Sequence, residues 1–303
     1  MGIKTARTEE SAVVLIDRKE CSDCGLCAGV CKGGVLTINE KRVLVAADTA
    51  LGGCFGCGQC MAVCPNRCIE VTGRDLSPGD MIHLPEKEDR ASWEELQNLM
   101  LSRRSVRDFA DKEIPDEILN KVLDAAAAAP MGIPPTDLEV LCISGRQNVR
   151  TFAFDLIEMM DKSKWMLYPL TIAPMRFLMG KETSEVMSKF ILPVIKVLKE
   201  KMRAGEDWLF YGAPTVLFFH TSPYADPQDP AIAATFSMLA AQSLGLGTCM
   251  IGTVGPFLKY SNELKKKYGI SKRNQMGVAL IMGYPRIKYH RAIKRRLAGI
   301  HRH

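Results

Sequence analysis

Eight of the eleven cysteines in this 303-residue chain fall into two copies of one spacing pattern, which constrains the fold more than any other feature. The first copy is Cys21-x2-Cys24-x2-Cys27-x3-Cys31, and the second is Cys54-x2-Cys57-x2-Cys60-x3-Cys64. Three thiolates at this step surround one compact group, while the fourth points away along a short helical turn. The doubled pattern therefore predicts two neighbouring thiolate-ligated sites within residues 1–80.

The run resembles the bacterial ferredoxins with two [4Fe–4S] clusters, in which the fourth cysteine of each copy ligates the other cluster. Over residues 11–75 the resemblance implies one cluster on Cys21, Cys24, Cys27 and Cys64, and a second on Cys54, Cys57, Cys60 and Cys31. Short apolar runs at 13–16, 35–38, 42–45 and 68–71 predict strands around the cysteines. One departure is Lys32, since proline often follows the fourth cysteine.

Two other uses of clustered cysteines compete with this interpretation. A zinc site uses paired Cys-x2-Cys units, but it does not require a third cysteine at the same step. Disulfides require an oxidising compartment, and residues 1–10 lack the apolar stretch of a secretory signal. The sequence thus favours iron–sulfur clusters and a cytoplasmic location. Cys68, Cys142 and Cys249 are interpreted as ordinary buried thiols.

A second domain is expected after a linker, which gives predicted boundaries of 1–80, 81–91 and 92–303. Ser92 and Glu95 have the form of a helix capping box. Pro115 and the two acids after it predict the start of another helix. The longest uncharged stretch, 231–258, contains polar residues and is interrupted by glycines such as Gly245, Gly247 and Gly252. It predicts a buried helix followed by a glycine loop, not a membrane span.

Arginines and serines concentrate where the first of these helices should end. Arg103, Arg104 and Arg107 lie beside Ser102 and Ser105. Forked guanidinium groups and hydroxyls suit the oxygens of a phosphate. An arginine-rich helix end is common, however, so this segment alone is a weak indicator.

Five segments follow the order found in the nitroreductase-like flavoprotein family: 103–109, 129–135, 210–219, 245–252, and 283–285 with the basic tail after it. Over residues 92–303 the resemblance implies an α+β FMN domain with an antiparallel-type central sheet and surrounding helices, fused to the small ferredoxin-like cluster domain. The FMN contacts that it implies are Arg103, Arg104, Ser105, Arg107, Pro130, Met131, Gly132, Ile133, Met250, Ile251, Gly252, Arg291, Arg295 and Arg296. In the family, the segment at 245–252 is a loop that closes over the flavin.

The chain departs from that family in ways that bear on its substrate. Many members have Asn, Gln and Trp where this chain has Pro134, Thr136 and Leu138, and a Glu where it has Ile251. The flavin surroundings are therefore expected to be less polar, and the substrates of ordinary nitroreductases do not transfer. Residues 151–207 are rich in methionine and predicted to be helical around 184–203. They are interpreted either as a lid or as a dimer-interface insertion.

The combination predicts an FMN-dependent oxidoreductase of nitroreductase type that passes electrons between clusters and FMN. Its acceptor would be a small nitro, quinone or activated-alkene compound. The alternative is a non-catalytic relay between ferredoxin and a protein partner. No catalytic acid or base is assigned.

Partners are predicted from the same features. External ferredoxin and NAD(P)H both remain open as electron donors, and no Gly-x-Gly-x-x-Gly strand–helix unit is present. The resemblance implies a homodimer with two-fold symmetry. Seven basic residues and no acid lie between Arg286 and His303. Without a nucleic-acid-binding motif, this tail is interpreted as a phosphate-binding segment; neither nucleic acid nor membrane is expected as a partner.

Overall fold

The computed structural model describes residues 11–46, 49, 52–132, 136–168, 170–172 and 180–302. The predicted FMN contact Ile133 and part of the 151–207 insertion lie outside these residues. The extensive contacts between helices and strands fall either within residues 13–80 or within residues 93–283. The boundary at 81–91 remains a prediction from the sequence.

The N-terminal part contains two strand–loop–helix–strand units. Its elements are β1 (Val13–Ile16), α1 (Leu26–Val30), β2 (Leu36–Asn39), β3 (Arg42–Val45), α2 (Gln59–Val63) and β4 (Ile69–Thr72). Each predicted strand is present within one residue of its expected position. β1 pairs antiparallel with β4, and β2 pairs antiparallel with β3. Because each pair takes one strand from each unit, the two units share a single small core around Val14, Leu36 and Val71.

Within the described residues, the C-terminal part is a four-stranded antiparallel sheet with helices on both faces. Its strands are β5 (Leu138–Ser144), β6 (Thr215–Thr221), β7 (Gly247–Ile251) and β8 (Gln275–Gly283), in the spatial order β5-β6-β8-β7. Its helices are α3 (Trp93–Ser102), α4 (Asp116–Ala127), α5 (Arg146–Ser163), α6 (Lys181–Val186), α7 (Leu192–Arg203), α8 (Asp229–Ser243), α9 (Val254–Leu258) and α10 (Asn262–Lys267). A π-helical turn, Met187–Ile191, joins α6 to α7.

Strand β6 is buried along its whole length because helices cover both faces of the sheet. Successive side chains of a strand point to opposite faces. Val216 and Phe218 accordingly join the apolar cluster that includes α5 and α7. Leu217 and Phe219 join the cluster that includes α4 and α8. The α+β architecture with an antiparallel central sheet is thereby confirmed.

Local predictions of helix ends are mostly confirmed. The capping box before α3 is present: the Ser92 N–H donates to Glu95 Oε2 at 2.7 Å, and the Glu95 N–H donates to Ser92 Oγ at 3.2 Å. Helix α4 begins at Asp116, because Pro115 is extended and lies at the N-cap. The helices α6 and α7 cover the helical segment expected around 184–203. No helix among the described residues is both long enough and apolar enough to cross a membrane.

The glycine loop predicted after α8 is wrong over most of its length. Residues 247–251 form strand β7, so the predicted contacts Met250 and Ile251 lie in the sheet, whereas Gly252 lies in the turn after it. The strand forms because this segment pairs along β8, with Gly247 opposite Gly283. Glycine-rich composition favours loops locally, but here the sheet contacts determine the structure.

Gly255 determines how closely α9 approaches β8. A Cβ at residue 255 would lie 2.1 Å from the carbonyl oxygen of Gly277, a backbone atom that cannot rotate away. We expect Gly255→Ala to lower the free energy of unfolding by about 1–3 kcal/mol, because the backbone must shift. Urea denaturation measures the change. Gly252→Ala is the matched control, since a Cβ there meets no atom within 4 Å. Equal losses in the two variants would contradict the close approach.

Candidate functional site

The arginine-rich segment 103–110 lies between strand β7 and the basic tail. Ser105 forms a parallel bridge with Thr248, and the Val106 N–H donates to the Thr248 carbonyl at 2.9 Å. Val106 approaches so closely that a Cβ at Gly247 would lie 2.6 Å from Val106 Cγ2. On the other side, the Ala110 N–H donates to the carbonyl of Tyr284 at 2.8 Å. The structure therefore brings the first, fourth and fifth predicted segments together.

Arg103 and Arg104 form the positively charged part of this site. Both are half-buried, and among the described residues neither has a carboxylate partner within ion-pair distance. Arg104 donates to the backbone carbonyls of Arg103 at 2.7 Å and of Arg291 at 3.4 Å. Burial, followed by the charges of Arg295 and Arg104, lowers the pKa of Arg103. Guanidinium groups that are held close together repel one another, and a bound anion would relieve this repulsion.

The tail from residue 284 has little regular structure, and hydrogen bonds fix its beginning. The Arg286 N–H donates to the Asp108 carbonyl at 3.1 Å, and Arg286 Nη2 forms an ion pair with Asp108 Oδ1 at 2.8 Å. Because the contact between Arg286 and Asp108 fixes the start of the tail, Arg291 and Arg295 lie near Arg103 and Arg104. Arg296 is exposed in the same segment. Sequence reasoning identified the tail arginines but missed the Asp108 contact that orients them.

Arg107 faces a loop that the sequence analysis did not single out. Its guanidinium carbon lies 5.7 Å from the ring centroid of Tyr211. Tyr211 has a left-handed backbone, with φ of 57°, which costs a non-glycine residue free energy. The loop is held by Asp207, whose carboxylate accepts the N–H groups of Leu209, Phe210 and Gly212 at 2.8–3.2 Å. Burial raises the pKa of Asp207, and these hydrogen bonds counteract the rise.

The proline loop after α4 is attached to another part of the fold. The Gly132 N–H donates to Asp229 Oδ1 at 3.2 Å, in the first turn of α8. A Cβ at Gly132 would lie 3.1 Å from the Cβ of Asp226. No hydrogen bond described for Pro130, Met131 or Gly132 joins this loop to the arginine group.

The eight cysteines of the doubled run separate into two groups of four. Burial raises the pKa of Cys27, and Cys24 and Cys64 are among its electrostatic neighbours. Burial likewise raises the pKa of Cys60 to about 11, with Cys54, Cys57 and Cys31 as its neighbours. We call Cys21, Cys24, Cys27 and Cys64 set A, and Cys31, Cys54, Cys57 and Cys60 set B. The crossed grouping matches the one implied by the ferredoxin resemblance.

Backbone geometry supports close approach to a group at each set. The N-caps of α1 and α2 are Gly25 and Gly58, with left-handed φ of 79° and 71°. Glycine adopts this conformation without steric cost. A cavity is lined by all four cysteines of set A together with apolar residues such as Ile16 and Val43.

The described residues contain no group of three Cys, His, Asp or Glu side chains with the geometry of a single metal ion. One zinc ion would require sulfurs about 3.8 Å apart, given Zn–S bonds of about 2.3 Å. A four-iron cluster instead takes one thiolate at each of four separate irons. The grouping into sets A and B therefore rests on the neighbours of each thiol, not on convergence at one point.

Cys68 and Cys249 are buried, as predicted, whereas the prediction is wrong for Cys142, which is exposed. The contact of Cys68 with set A was not foreseen. Its Sγ lies 3.4 Å from the Sγ of Cys64. Burial and then the hydrogen bond with Cys64 raise the pKa of Cys68 to about 12, so it is a neutral thiol. Its position four residues after Cys64 was the only signal in the sequence.

Several solved structures are similar to this one over part of the chain. The structure is similar to a nitroreductase with bound FMN from Bacteroides fragilis NCTC 9343, with 22% identity, a TM-score of 0.47, and coverage of 68% of this chain and 96% of that one. It is also similar to an FMN-dependent nitroreductase from Clostridium difficile R20291, with 20% identity, a TM-score of 0.48, and coverage of 68% and 97%. A BluB-like flavoprotein from Clostridium difficile 630 has 19% identity, a TM-score of 0.47, and coverage of 67% and 95%.

No curated protein matches the chain. Residues 100–284, more than half of the sequence, match the family model described as Nitroreductase family. The matched range includes the arginine-rich segment and ends at Tyr284, whose carbonyl accepts the Ala110 N–H. The chain therefore belongs to the nitroreductase family and is an oxidoreductase of that type.

Proposed function

We propose that this protein is an iron–sulfur flavoprotein, in which two [4Fe–4S] clusters exchange electrons with FMN and FMN reduces a small organic acceptor. The observation that carries the proposal is the crossed separation of eight cysteines into sets A and B, in one chain with a nitroreductase-family domain. A zinc-binding or disulfide framework gives no reason for this crossed grouping.

The residues of the arginine site fit the phosphate of FMN. Arg103 and Arg104 are half-buried near Arg291 and Arg295. Their positive charges repel one another, and no carboxylate among the described residues compensates them. A phosphate dianion would relieve that repulsion and accept forked hydrogen bonds. Ser105 and Arg107 continue along the same segment and would contact the rest of the cofactor. Met250 and Ile251 present half-buried apolar side chains from β7, which supports a flavin environment of low polarity.

Sets A and B fit one cluster each. Each set takes three thiols from one glycine-capped short helix and the loop before it, and a fourth from the C-cap of the other short helix. Backbone N–H groups of such turns stabilise the negative charge of cluster sulfurs. When bound, clusters supply single electrons and FMN converts them into a two-electron reduction. The chain's own residues would position these groups, and apolar side chains such as Ile16 and Val43 line the cavity at set A.

The acceptor would bind beside the Tyr211 loop. Asp207 holds this loop rigid, and the ring of Tyr211 stands next to Arg107. An aromatic ring and a guanidinium together suit a flat compound with an electron-poor or oxygen-bearing group. A nitroaromatic, a quinone or an activated alkene has that chemistry. External ferredoxin or NAD(P)H would be the donor.

Composition analysis of protein purified without oxygen tests this proposal. We expect about eight irons, an equal amount of sulfide and one FMN per chain, the load of two four-iron clusters beside one flavin. Zinc in place of iron would overturn the cluster assignment, and absence of flavin would overturn the flavoprotein assignment. Multiple turnover with a small quinone separates an enzyme from a relay, because a relay would be reduced once and then stop.

We further propose that the chain forms a homodimer. Apolar side chains stand exposed on α3, where Trp93 is 61% exposed, and on the tail, where Ile293 and Leu297 are 67% and 77% exposed. Exposed apolar side chains such as these favour burial against a partner. A two-fold axis would bury one copy's patch against the other's.

We expect light scattering to give twice the 33.5 kDa chain mass. Leu297→Asp should shift the population toward monomer, because the carboxylate would be desolvated in the interface. Ile82→Asp is the matched control, since Ile82 is 89% exposed in the segment between the two parts. A wild-type mass of one chain would contradict the dimer.

A further inference from the structure

The two cysteine loops share a backbone shape but differ in charge. Cys21-Ser22-Asp23-Cys24 in set A corresponds to Cys54-Phe55-Gly56-Cys57 in set B. The third residue of each loop is left-handed, with φ of 52° at Asp23 and 68° at Gly56. One loop therefore places a carboxylate where the other has no side chain.

Arg74 occupies the space beside Gly56. A Cβ at residue 56 would lie 3.2 Å from the Cβ of Arg74. Arg74 Nε donates to the Phe55 carbonyl at 3.0 Å, and its guanidinium carbon lies 5.9 Å from the Phe55 ring centroid. The side chain is 6% exposed, so water screens its charge poorly. Cys54 of set B is an electrostatic neighbour of this cation.

A backbone hydrogen bond adds to the positive environment of Cys54. The Gly56 N–H lies 3.4 Å from Cys54 Sγ and donates to it. Hydrogen bonds to ligand sulfurs stabilise added electron density at a cluster. Arg74 and this amide therefore act in the same direction at set B.

In set A, the position that corresponds to Gly56 carries a negative charge. Asp23 Oδ1 lies 3.7 Å from Cys21 Sγ, and a carboxylate is ionised at neutral pH. It also accepts the Val43 N–H at 2.9 Å, which holds it in place. Arg18 lies 3.6 Å away on the surface and offsets part of the charge. A thiolate at Cys21 would face this oxygen without a proton between them.

We propose that Arg74 raises the reduction potential at set B above that at set A, so that electrons collect at set B. The inference rests on the proposed function, since it requires a cluster on each set. Reduction adds one negative charge, which a buried cation stabilises and a neighbouring carboxylate destabilises. In the test, a reduced viologen dye gives one electron to each set, and no bond forms or breaks.

The experiment is a potentiometric titration of the full, anaerobically purified chain, followed by low-temperature electron paramagnetic resonance of the reduced clusters. Wild type should reduce in two steps. In Arg74→Gln the more positive step should move down by about 59 mV, a tenfold change in the ratio of reduced to oxidised centres. Arg74→Lys keeps the charge and should retain most of the separation. Asp23→Asn should move the more negative step up.

Arg90→Gln is the matched control, because it removes one exposed positive charge between the two parts of the chain. Two results would overturn the proposal in variants with full iron content. The first is a shift of the more negative step in Arg74→Gln. The second is a shift of the more positive step in Arg74→Gln that is no larger than in Arg90→Gln. If Arg74→Gln loses iron, the Asp23→Asn variant tests the proposal instead. A more negative reduction step that does not move in Asp23→Asn would overturn the proposal. A wild type without iron would instead overturn the proposed function, and the inference with it.

Discussion

The double variant Cys31→Ala with Cys60→Ala should keep one intact four-iron cluster, whereas Cys27→Ala with Cys31→Ala should keep none. Both cysteines of the first variant lie in set B, so set A retains all four ligands. The second variant removes one ligand from each set. The expected iron content of the first is about four per chain, half the load of two clusters. Iron analysis and the resonance signal of the reduced four-iron form measure both.

This pair of variants tests the crossed grouping itself. If each run of four cysteines held its own cluster, the second variant would keep an intact cluster and the first would not. Cys68→Ala is the control, because Cys68 is buried 3.4 Å from Cys64 but belongs to neither set. It should retain about eight irons. A loss of iron in Cys68→Ala equal to that in a set A variant would place Cys68 among the ligands.

Arg103→Gln should weaken FMN binding by about 10–150-fold, because a hydrogen bond to a charged group contributes about 1.5–3 kcal/mol. Arg103 is half-buried and shares the site with Arg104 and Arg295, so a bound phosphate would be poorly screened there. Arg103→Lys should weaken binding less, since it keeps the charge but loses the fork. Fluorescence titration of the flavin-free protein with FMN measures each affinity.

Arg295→Gln combined with Arg103→Gln should cost less than the sum of the two single changes, because both arginines serve one anion. Arg273→Gln, at an exposed turn before β8, is the matched control and should leave the affinity unchanged. Equal weakening by Arg273→Gln and Arg103→Gln would show that general charge, and not this site, attracts the cofactor.

Local signals in the sequence were sufficient where a short segment determines its own structure. The Ser92–Glu95 box and the helices after Lys181 depend on neighbouring residues, and the strand at Arg42 pairs with the strand just before it. The cysteine spacing likewise anticipated which cysteines lie near one another in sets A and B, whereas ligation of a cluster by each set stays a prediction.

Contacts between distant segments were not predictable in this way. Strand β7 was taken for a loop because its glycines outweighed its pairing with β8, which only the tertiary fold supplies. The attachment of Gly132 to Asp229 and the support of the Tyr211 loop by Asp207 have no signature in the spacing. Cys68 was correctly interpreted as buried, but its approach to Cys64 depends on how the turn after Pro65 folds.

The hydrogen bond between Arg104 and the Arg291 carbonyl joins residues 187 positions apart. During synthesis, Arg104 therefore leaves the ribosome long before its partner, and domains fold from the N-terminus as the chain emerges. The cysteine loops can therefore fold before Arg291 is synthesised, whereas the anion site is still incomplete at that stage. Under the proposed function, maturation would therefore have an order: iron–sulfur assembly could begin on the growing chain, whereas the flavin would bind only after the segment around Arg291 has been translated.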